Sequence, residues 1–147
     1  MIIGVTSGCF DILHPTHILY LEKCSRECDI LYVLIDSDER VYLTKGNHPV
    51  FNEHDRVLML EALKVVDRAA VFNDMRDYVT SIEAVMSNED EVVVFKNRTV
   101  FPTSEVHSLL QIPGTTTKII RDVERLSSST QIKNQILKNA KDCTSRH

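Results

Sequence analysis

The sequence predicts an α/β domain in which a parallel sheet is covered by helices on both faces. Two observations lead to this prediction. Short apolar, β-branched runs alternate with segments of helical periodicity along the whole chain. The clearest run, residues 30–35, is continuously apolar rather than alternating, as expected for a strand that is buried on both faces. Alternation of this kind favours right-handed βαβ crossovers.

The first predicted unit is a strand, a turn and a helix. Residues 2–6 form a short apolar run that ends at Ser7 and Gly8, as expected for a buried strand followed by a tight turn. Pro15 suits the first position of a helix. A backbone N–H group at that position has no acceptor within the helix, so proline, which lacks this group, costs nothing there. Apolar residues then recur at helical spacing, namely Ile18, Leu19, Tyr20, Leu21 and Cys24.

The rest of the chain continues the alternation. Residues 38–51 contain Lys45-Gly46 and Pro49 without a clear period, so we predict a long loop there. Asn52 can cap a following helix, whose apolar face extends to residues 65–66. Further elements are predicted as strands over residues 69–72, 91–95 and 117–120, and as helices over residues 75–86 and about 129–140. The domain thus comprises residues 1–140, and residues 141–147 are expected to form a mobile polar tail.

Composition excludes several classes of protein. The 147 residues are 43% hydrophobic, which is enough for one domain with its own core. The net charge of −4 is the wrong sign for broad binding to nucleic acid or to anionic membranes, so neither partner is expected. The apolar runs are far shorter than the roughly 20 residues that span a bilayer. No cationic segment precedes an apolar stretch at the start, and the four cysteines are irregularly spaced, so we expect a cytoplasmic location.

The turn after the first strand carries the strongest chemical signal. Its sequence, from residue 8 to residue 17, is GCFDILHPTH. A ligand is expected just past the carboxyl end of this strand, where the N–H groups of a helix start suit a phosphate. His14 and His17 are three residues apart, which places both imidazoles on one face of the first helical turn. Such a pair can hold the oxygens of a polyphosphate.

Two other interpretations of this motif are weighed against phosphate binding. A single histidine at a helix start is more often a surface or capping residue. A metal site lacks an evident third ligand, because Cys24 and Cys28 lie seven or more residues farther along the same helix, roughly 10 Å away or more. These cysteines are better explained as core or helix-surface residues.

A second motif precedes the last helix. Residues 127–130 are Ser-Ser-Ser-Thr, and Arg121 and Arg125 lie shortly before them. Hydroxyls and free N–H groups at a helix start favour an anion, although on its own this segment is equally a serine-rich cap. A third feature is Lys45 together with Arg56, which as surface cations would usually be solvated. The P-loop and dinucleotide-binding fingerprints are both absent from the sequence.

Together these segments resemble the cytidylyltransferase-like nucleotidyltransferase superfamily, with its H-x-G-H motif and its Ser/Thr-rich helix start. The resemblance is carried by the segments GCFDILHPTH, LIDSDER, KGNHPVFNEHDRVLMLEALKVVDRAAVF and LSSSTQI, and it covers about residues 3–137. Within the superfamily the chain most resembles the heptose-phosphate adenylyltransferase domain and the glycerol-3-phosphate cytidylyltransferases. This resemblance implies a Rossmann-like, doubly wound, five-stranded parallel sheet in the order 3-2-1-4-5, and a homodimer.

The resemblance also implies a reaction. A nucleotidyl group passes from CTP or ATP to a sugar or polyol phosphate, of the glycerol-3-phosphate or heptose-1-phosphate type, and pyrophosphate leaves. The acceptor attacks the α-phosphorus directly and in line. Since a phosphate monoester with a pKa near 6 is already largely a dianion at neutral pH, the protein mainly positions the reactants and neutralises charge. Mg²⁺ would be bound with the nucleotide, and no residue is implied as a metal ligand.

Residue roles are implied by the same resemblance. The implied catalytic residues are His14, His17 and Lys45. The implied nucleotide-binding residues are Gly8, Cys9, Phe10, His14, His17, Arg125, Ser128, Ser129 and Thr130. The implied acceptor-binding residues are Asp11, Asp38, Lys45 and Arg56.

Two departures from the family pattern keep an alternative function open. Thr16 stands where the H-x-G-H motif has glycine, and residues 96–100 replace the Lys-Gly-Gly-Asp-Tyr motif of the heptose type. The alternative is a non-catalytic nucleotide-binding or sensor protein that has kept the fold. The choice between ATP and CTP, and the identity of the acceptor, also stay open.

Overall fold

The computed structural model describes residues 1–87, 89–97, 112–121, 123 and 127–145. Strands and helices alternate along them, as the sequence predicts. The strands are β1 (Ile2–Gly8), β2 (Ile30–Asp36), β3 (Arg68–Phe72), β4 (Glu91–Asn97) and β5 (Thr115–Ile120). The helices are α1 (Pro15–Arg26), α2 (Asp38–Lys45), α3 (Glu53–Glu61), α4 (Met75–Val85) and α5 (Ser129–Ser145).

The strands form one parallel sheet in the order β3-β2-β1-β4-β5. Strand β1 lies at the centre, where Val5 is paired with Tyr32 of β2 on one side and with Val94 of β4 on the other. The predicted strand order is therefore confirmed. Because every strand runs in the same direction, the segments that follow the strands meet at one edge of the sheet.

The two faces of the sheet pack against different helices. On one face, Leu21 of α1 and Leu60 of α3 contact a core that includes Val33 and Ile35 of β2. On the other face, Tyr78 and Ile82 of α4 pack on side chains of the central strands, including Ile3, Val5 and Leu34. The sheet is thus wound on both faces, as predicted. Among the described residues, no helix has the length and apolar character needed to cross a membrane.

The prediction of a loop over residues 38–51 is wrong in its first half, because α2 occupies it. The Ser37 hydroxyl accepts the N–H group of Arg40 at the start of α2, and Gly46, with φ of 76°, ends the helix. Only one residue of α2, Val41, is buried. A helix that buries a single side chain shows no apolar periodicity, which explains why the sequence pattern misses it.

Some element boundaries also differ from the predictions. Helix α3 ends at Glu61, and Val66 is buried in the turn that follows it. Strand β5 begins at Thr115, two residues before the predicted start. Helix α5 continues to Ser145, so residues 141–145 are helical, while residues 146–147 lie outside the described part of the chain. The mobility predicted for the tail stays a prediction.

Candidate functional site

The turn between β1 and α1 has a strained and closely packed backbone. Phe10 has φ of 49°, and it is the one non-glycine residue with positive φ among the described residues. Its ring is buried, and a Cβ atom added to Gly8 would lie 2.9 Å from the Phe10 Cε2 atom. Gly8 is therefore required for the ring to fold back over the end of the strand. A side chain in this left-handed region is unfavourable by itself, so the surrounding packing must hold it there.

His14 and His17 lie together at the start of α1. Their rings are stacked, with centroids 3.7 Å apart and planes inclined by 22°. The His14 backbone N–H group donates to Nδ1 of His17 at 3.4 Å, and the Phe10 ring contacts His17 with centroids 4.9 Å apart. The prediction that both imidazoles share one face of the first helical turn is confirmed.

His17 is held in its neutral form. Its pKa is lowered from 6.5 to about 4, mainly by burial and also by the nearby charges of His14 and Lys45, although a hydrogen bond with the Ile12 backbone acts to raise it. At neutral pH the ring therefore offers one N–H donor and no positive charge. A phosphate at this place would share the His17 N–H group with the Ile12 backbone, while its negative charge would have to be balanced by lysine or arginine.

Arg56 joins four segments beneath the turn. Its side chain has no exposed surface. It donates to the carbonyl oxygens of Cys9 and Asp36, each at 2.8 Å, and to that of Phe51 at 3.0 Å. It also pairs with the Asp38 carboxylate at 2.7 Å. The interpretation of Arg56 as a solvated surface cation is wrong, and its observed partners all belong to the protein. Its role in acceptor binding stays a prediction.

Asp11 forms a second junction. Its buried carboxylate accepts the Val50 N–H group at 2.6 Å and the Phe51 N–H group at 3.4 Å, and it pairs with Nζ of Lys133 at 2.6 Å. Burial acts to raise the pKa of Asp11, but these partners outweigh it and the pKa is lowered. The ionised carboxylate thus ties the first turn to the segment before α3 and to α5. Its contacts are with protein groups, so acceptor binding by Asp11 stays a prediction.

The start of α5 lies against the start of α1. Ser129 donates from Oγ to the Ile12 carbonyl at 3.3 Å, and the Ser128 hydroxyl accepts the Gln131 N–H group at 3.1 Å. Thr16 bonds to the backbone of Ser127. The structure thus brings together the two motifs that the sequence places more than a hundred residues apart.

The other predicted residues differ in their placement. Lys45 is the exposed last residue of α2, and its charge acts on both Cys9 and His17. Cys9 is half-buried, and burial raises the pKa of its thiol against the lowering effect of Lys45 and Arg56. Asp38 is 35% exposed and bonded to Arg56, and Thr130 is exposed. Arg125, like residues 98–100, lies outside the described residues.

Cys24 is buried and Cys28 is half-buried, in agreement with their interpretation as core or helix-surface residues. In the described part of the chain, no group of three or more His, Cys, Asp and Glu side chains could hold a metal ion. Burial raises the pKa of Cys24 to about 12 and that of Cys28 to about 11, so both thiols are protonated at neutral pH.

Two lysines near the site were missed by the sequence analysis. Lys133, the partner of Asp11, follows Ser129 by four residues and so shares its helix face, which is a signal that the sequence does contain. Lys96 lies at the carboxyl end of β4, where it is buried and donates to the Tyr78 hydroxyl at 3.3 Å. Desolvation lowers the pKa of Lys96. Its burial depends on the packing of α4, which a local pattern does not reveal.

Several known proteins are similar to this chain in sequence. Over 93 residues the chain is 41% identical to the bifunctional protein HldE of Hyphomonas neptunium, a match that takes in 63% of this chain and 18% of HldE. The chain therefore spans less than a fifth of that relative. It is also 32% identical over 117 residues to the FAD synthase of Methanohalophilus mahii, which covers 80% of this chain and 78% of that protein.

A solved structure and a family model agree with these relatives. The crystal structure of a lipopolysaccharide core biosynthesis protein from Thermoplasma volcanium superimposes with a TM-score of 0.64 at 31% identity, over 82% of this chain and 95% of that one. Residues 5–135 match the family model described as Cytidylyltransferase-like. The sheet order, the paired helix starts and these matches agree, and the chain belongs to the cytidylyltransferase-like family of nucleotidyltransferases.

Proposed function

We propose that the protein is an adenylyltransferase that moves the adenylyl group of ATP to a small phosphate monoester and releases pyrophosphate. The observation that carries this proposal is the stacked His14–His17 pair, which lies beside the Ser128–Ser129 helix start. The preference for ATP over CTP is supported by two relatives, the bifunctional protein HldE and an FAD synthase. FAD, the product that the second name gives, consists of an adenylyl group joined to a flavin mononucleotide.

In the proposed mechanism, the protein holds the triphosphate at both ends. The hydroxyls of Ser128 and Ser129, with the N–H groups of the α5 start, would bind the β- and γ-phosphates. His17, neutral at working pH, would donate a hydrogen bond to an oxygen that gains charge as the acceptor attacks the α-phosphorus. His14, stacked on the same ring, would bind the neighbouring phosphate oxygen.

Positive charge would come from Lys45 rather than from the neutral His17 ring. Lys45 is exposed at the end of α2, and its charge already acts on His17. Mg²⁺ would accompany the nucleotide. Its main ligands would be oxygen atoms of the triphosphate and water.

For the acceptor, we propose a sugar or polyol phosphate. The main support is the match to HldE, whose identity of 41% exceeds the 32% found with FAD synthase. A flavin mononucleotide is the second candidate, because the match to FAD synthase covers far more of that relative, 78% against 18%. Both acceptors are phosphate monoesters, so the same in-line chemistry serves either. A homodimer, which the family resemblance implies, and a cytoplasmic location, which the sequence leads us to expect, stay proposals.

The test is the initial rate of pyrophosphate release with ATP or CTP and Mg²⁺, in the presence of heptose-1-phosphate, glycerol-3-phosphate or flavin mononucleotide. We expect His14→Ala and His17→Ala each to lower kcat by about 10²–10³-fold if the ring contacts the transition state. His54 is exposed on α3, so His54→Ala is the matched control and should retain the wild-type rate. Rates in the histidine-pair variants equal to that of the control would refute the proposed role of the pair.

A further inference from the structure

One side chain connects the two helix starts of the site. The Thr16 hydroxyl accepts the N–H group of Ser127 at 3.0 Å and donates to the carbonyl oxygen of the same residue, also at 3.0 Å. The two residues are 111 positions apart in the sequence. A single oxygen atom thus binds both backbone polar groups of Ser127, which immediately precedes the serines at the start of α5.

The contact depends on the hydroxyl and on the backbone of Ser127. The family motif has glycine at the position of Thr16, and glycine has no group that could make either bond. The Ser127 Oγ atom is itself buried and has no hydrogen-bond partner among the described residues, so the side chain of Ser127 does not contribute to the connection. Serine could replace threonine in this contact, whereas valine has the shape of threonine but no hydroxyl.

We propose that Thr16 is a positioning residue for the polyphosphate. By fixing the backbone of Ser127, it sets the separation between the His14–His17 pair and the hydroxyls of Ser128 and Ser129. This inference rests on the proposed function, because it assigns the β- and γ-phosphates to the start of α5. Thr16 then fills a structural role that a glycine cannot, and it need not mark a site that has lost activity.

Because of its position, Thr16 should affect the binding of some nucleotides and not of others. Loss of the contact with Ser127 leaves the histidine pair in place, since His14 is the N-cap residue of α1 and His17 lies in its first turn. It frees the backbone of Ser127, while α5 itself stays attached to the first turn by the Ser129 bond to Ile12 and by the Lys133–Asp11 pair. A ligand that reaches α5 should therefore bind less tightly, and a ligand that ends at the α-phosphate should not.

The experiment compares ATP with AMP in calorimetric titrations of the wild type, Thr16→Val, Thr16→Ser and Thr80→Val. Thr80 is an exposed threonine of α4 whose hydroxyl bonds within its own helix, so it controls for the chemical change. We expect Thr16→Val to raise the Kd of ATP by about tenfold and to leave that of AMP unchanged. Thr16→Ser and Thr80→Val should bind both nucleotides as the wild type does. Exchange of the Ser127 amide proton, followed by NMR, should be faster in Thr16→Val alone.

The possible results separate this inference from the proposed function. Wild-type affinity of Thr16→Val for ATP would overturn the positioning role. An equal loss of ATP and AMP affinity would also overturn it, because it would indicate a general structural effect. If the wild type binds no ATP, the proposed function fails and this inference fails with it. If the Ser127 amide proton nevertheless exchanges slowly in the wild type and faster in Thr16→Val, the Thr16–Ser127 contact exists but does not serve to position a polyphosphate.

Discussion

Replacement of Arg56 by methionine tests how the site is held together. Methionine approximates the aliphatic part of the arginine side chain but removes the guanidinium, so that the carbonyl oxygens of Cys9, Asp36 and Phe51 lose a donor each. The Asp38 carboxylate loses its cationic partner as well. The change therefore acts at once on the ends of β1 and β2 and on the segment before α3.

The expected cost follows from the burial of Arg56. The side chain is 0% exposed, whereas Asp38 is 35% exposed and can be hydrated after the change. Removal of one partner from a buried charged network costs about 3–5 kcal/mol. The hydration of Asp38 places Arg56→Met in the lower half of this range, so we expect a loss of about 3–4 kcal/mol in the free energy of unfolding. For a domain of this size that corresponds to a fall in Tm of about 8–15 °C.

Urea unfolding followed by circular dichroism measures this loss directly. Arg68, which is exposed on β3, supplies the matched control, and Arg68→Met should change the free energy of unfolding by less than about 0.5 kcal/mol. Arg56→Lys should restore little of the lost free energy of unfolding, because a single ammonium group cannot reach the four acceptors that the planar guanidinium binds. If Arg56→Met lies within about 1 kcal/mol of the wild type, the observed network does not hold the site together.

Two further predictions concern the charge states in the site. The pKa of His17 is about 4 in the folded protein, against an ordinary value of 6.5, so between these two pH values only the unfolded chain binds the proton. The stability that the neutral His17 ring gives the folded protein is complete above pH 6.5, and about 2–3 kcal/mol of it is lost as the pH falls to 4. The free energy of unfolding, measured in urea at pH 7 and at pH 4.5, should therefore differ less between the two pH values for His17→Gln than for the wild type. An equal pH difference in the two proteins would contradict the buried neutral ring. Asp11→Asn should lower the free energy of unfolding at pH 7 by about 1–3 kcal/mol, since the Val50 N–H group and Lys133 lose an ionised partner. Lys133→Met should cost less, because Lys133 is 39% exposed, and the prediction fails if Asp11→Asn is as stable as the wild type.

The sequence was sufficient for the fold because the strands are strongly patterned. The continuous apolar run of β2 and the periodic faces of α1 and α4 predict a parallel sheet covered on both faces. Helix α2 was missed because it buries only Val41 and is held by its capping residues instead. A short helix that buries a single side chain leaves little trace in a hydrophobic pattern.

The candidate site was predictable in position but not in its internal connections. Glycine, paired histidines and serines at helix starts are local signals, and a parallel sheet brings the segments after its strands to one edge. The buried networks around Arg56 and Asp11 depend instead on carbonyl and N–H groups from distant segments, which no side-chain pattern encodes. The same holds for Thr16, whose partner is the backbone of Ser127.

The proposed reaction can be tested most directly by following the phosphorus atoms of ATP. The protein is incubated with Mg²⁺, a candidate acceptor phosphate and ATP that carries ³²P at either the α- or the γ-position. We predict that the α-label appears in a new diphosphate-linked product, in equal amount with pyrophosphate that carries the γ-label, and that His14→Ala loses both. ATP that binds but transfers its α-label to no acceptor would contradict adenylyl transfer and would support the non-catalytic nucleotide-binding alternative.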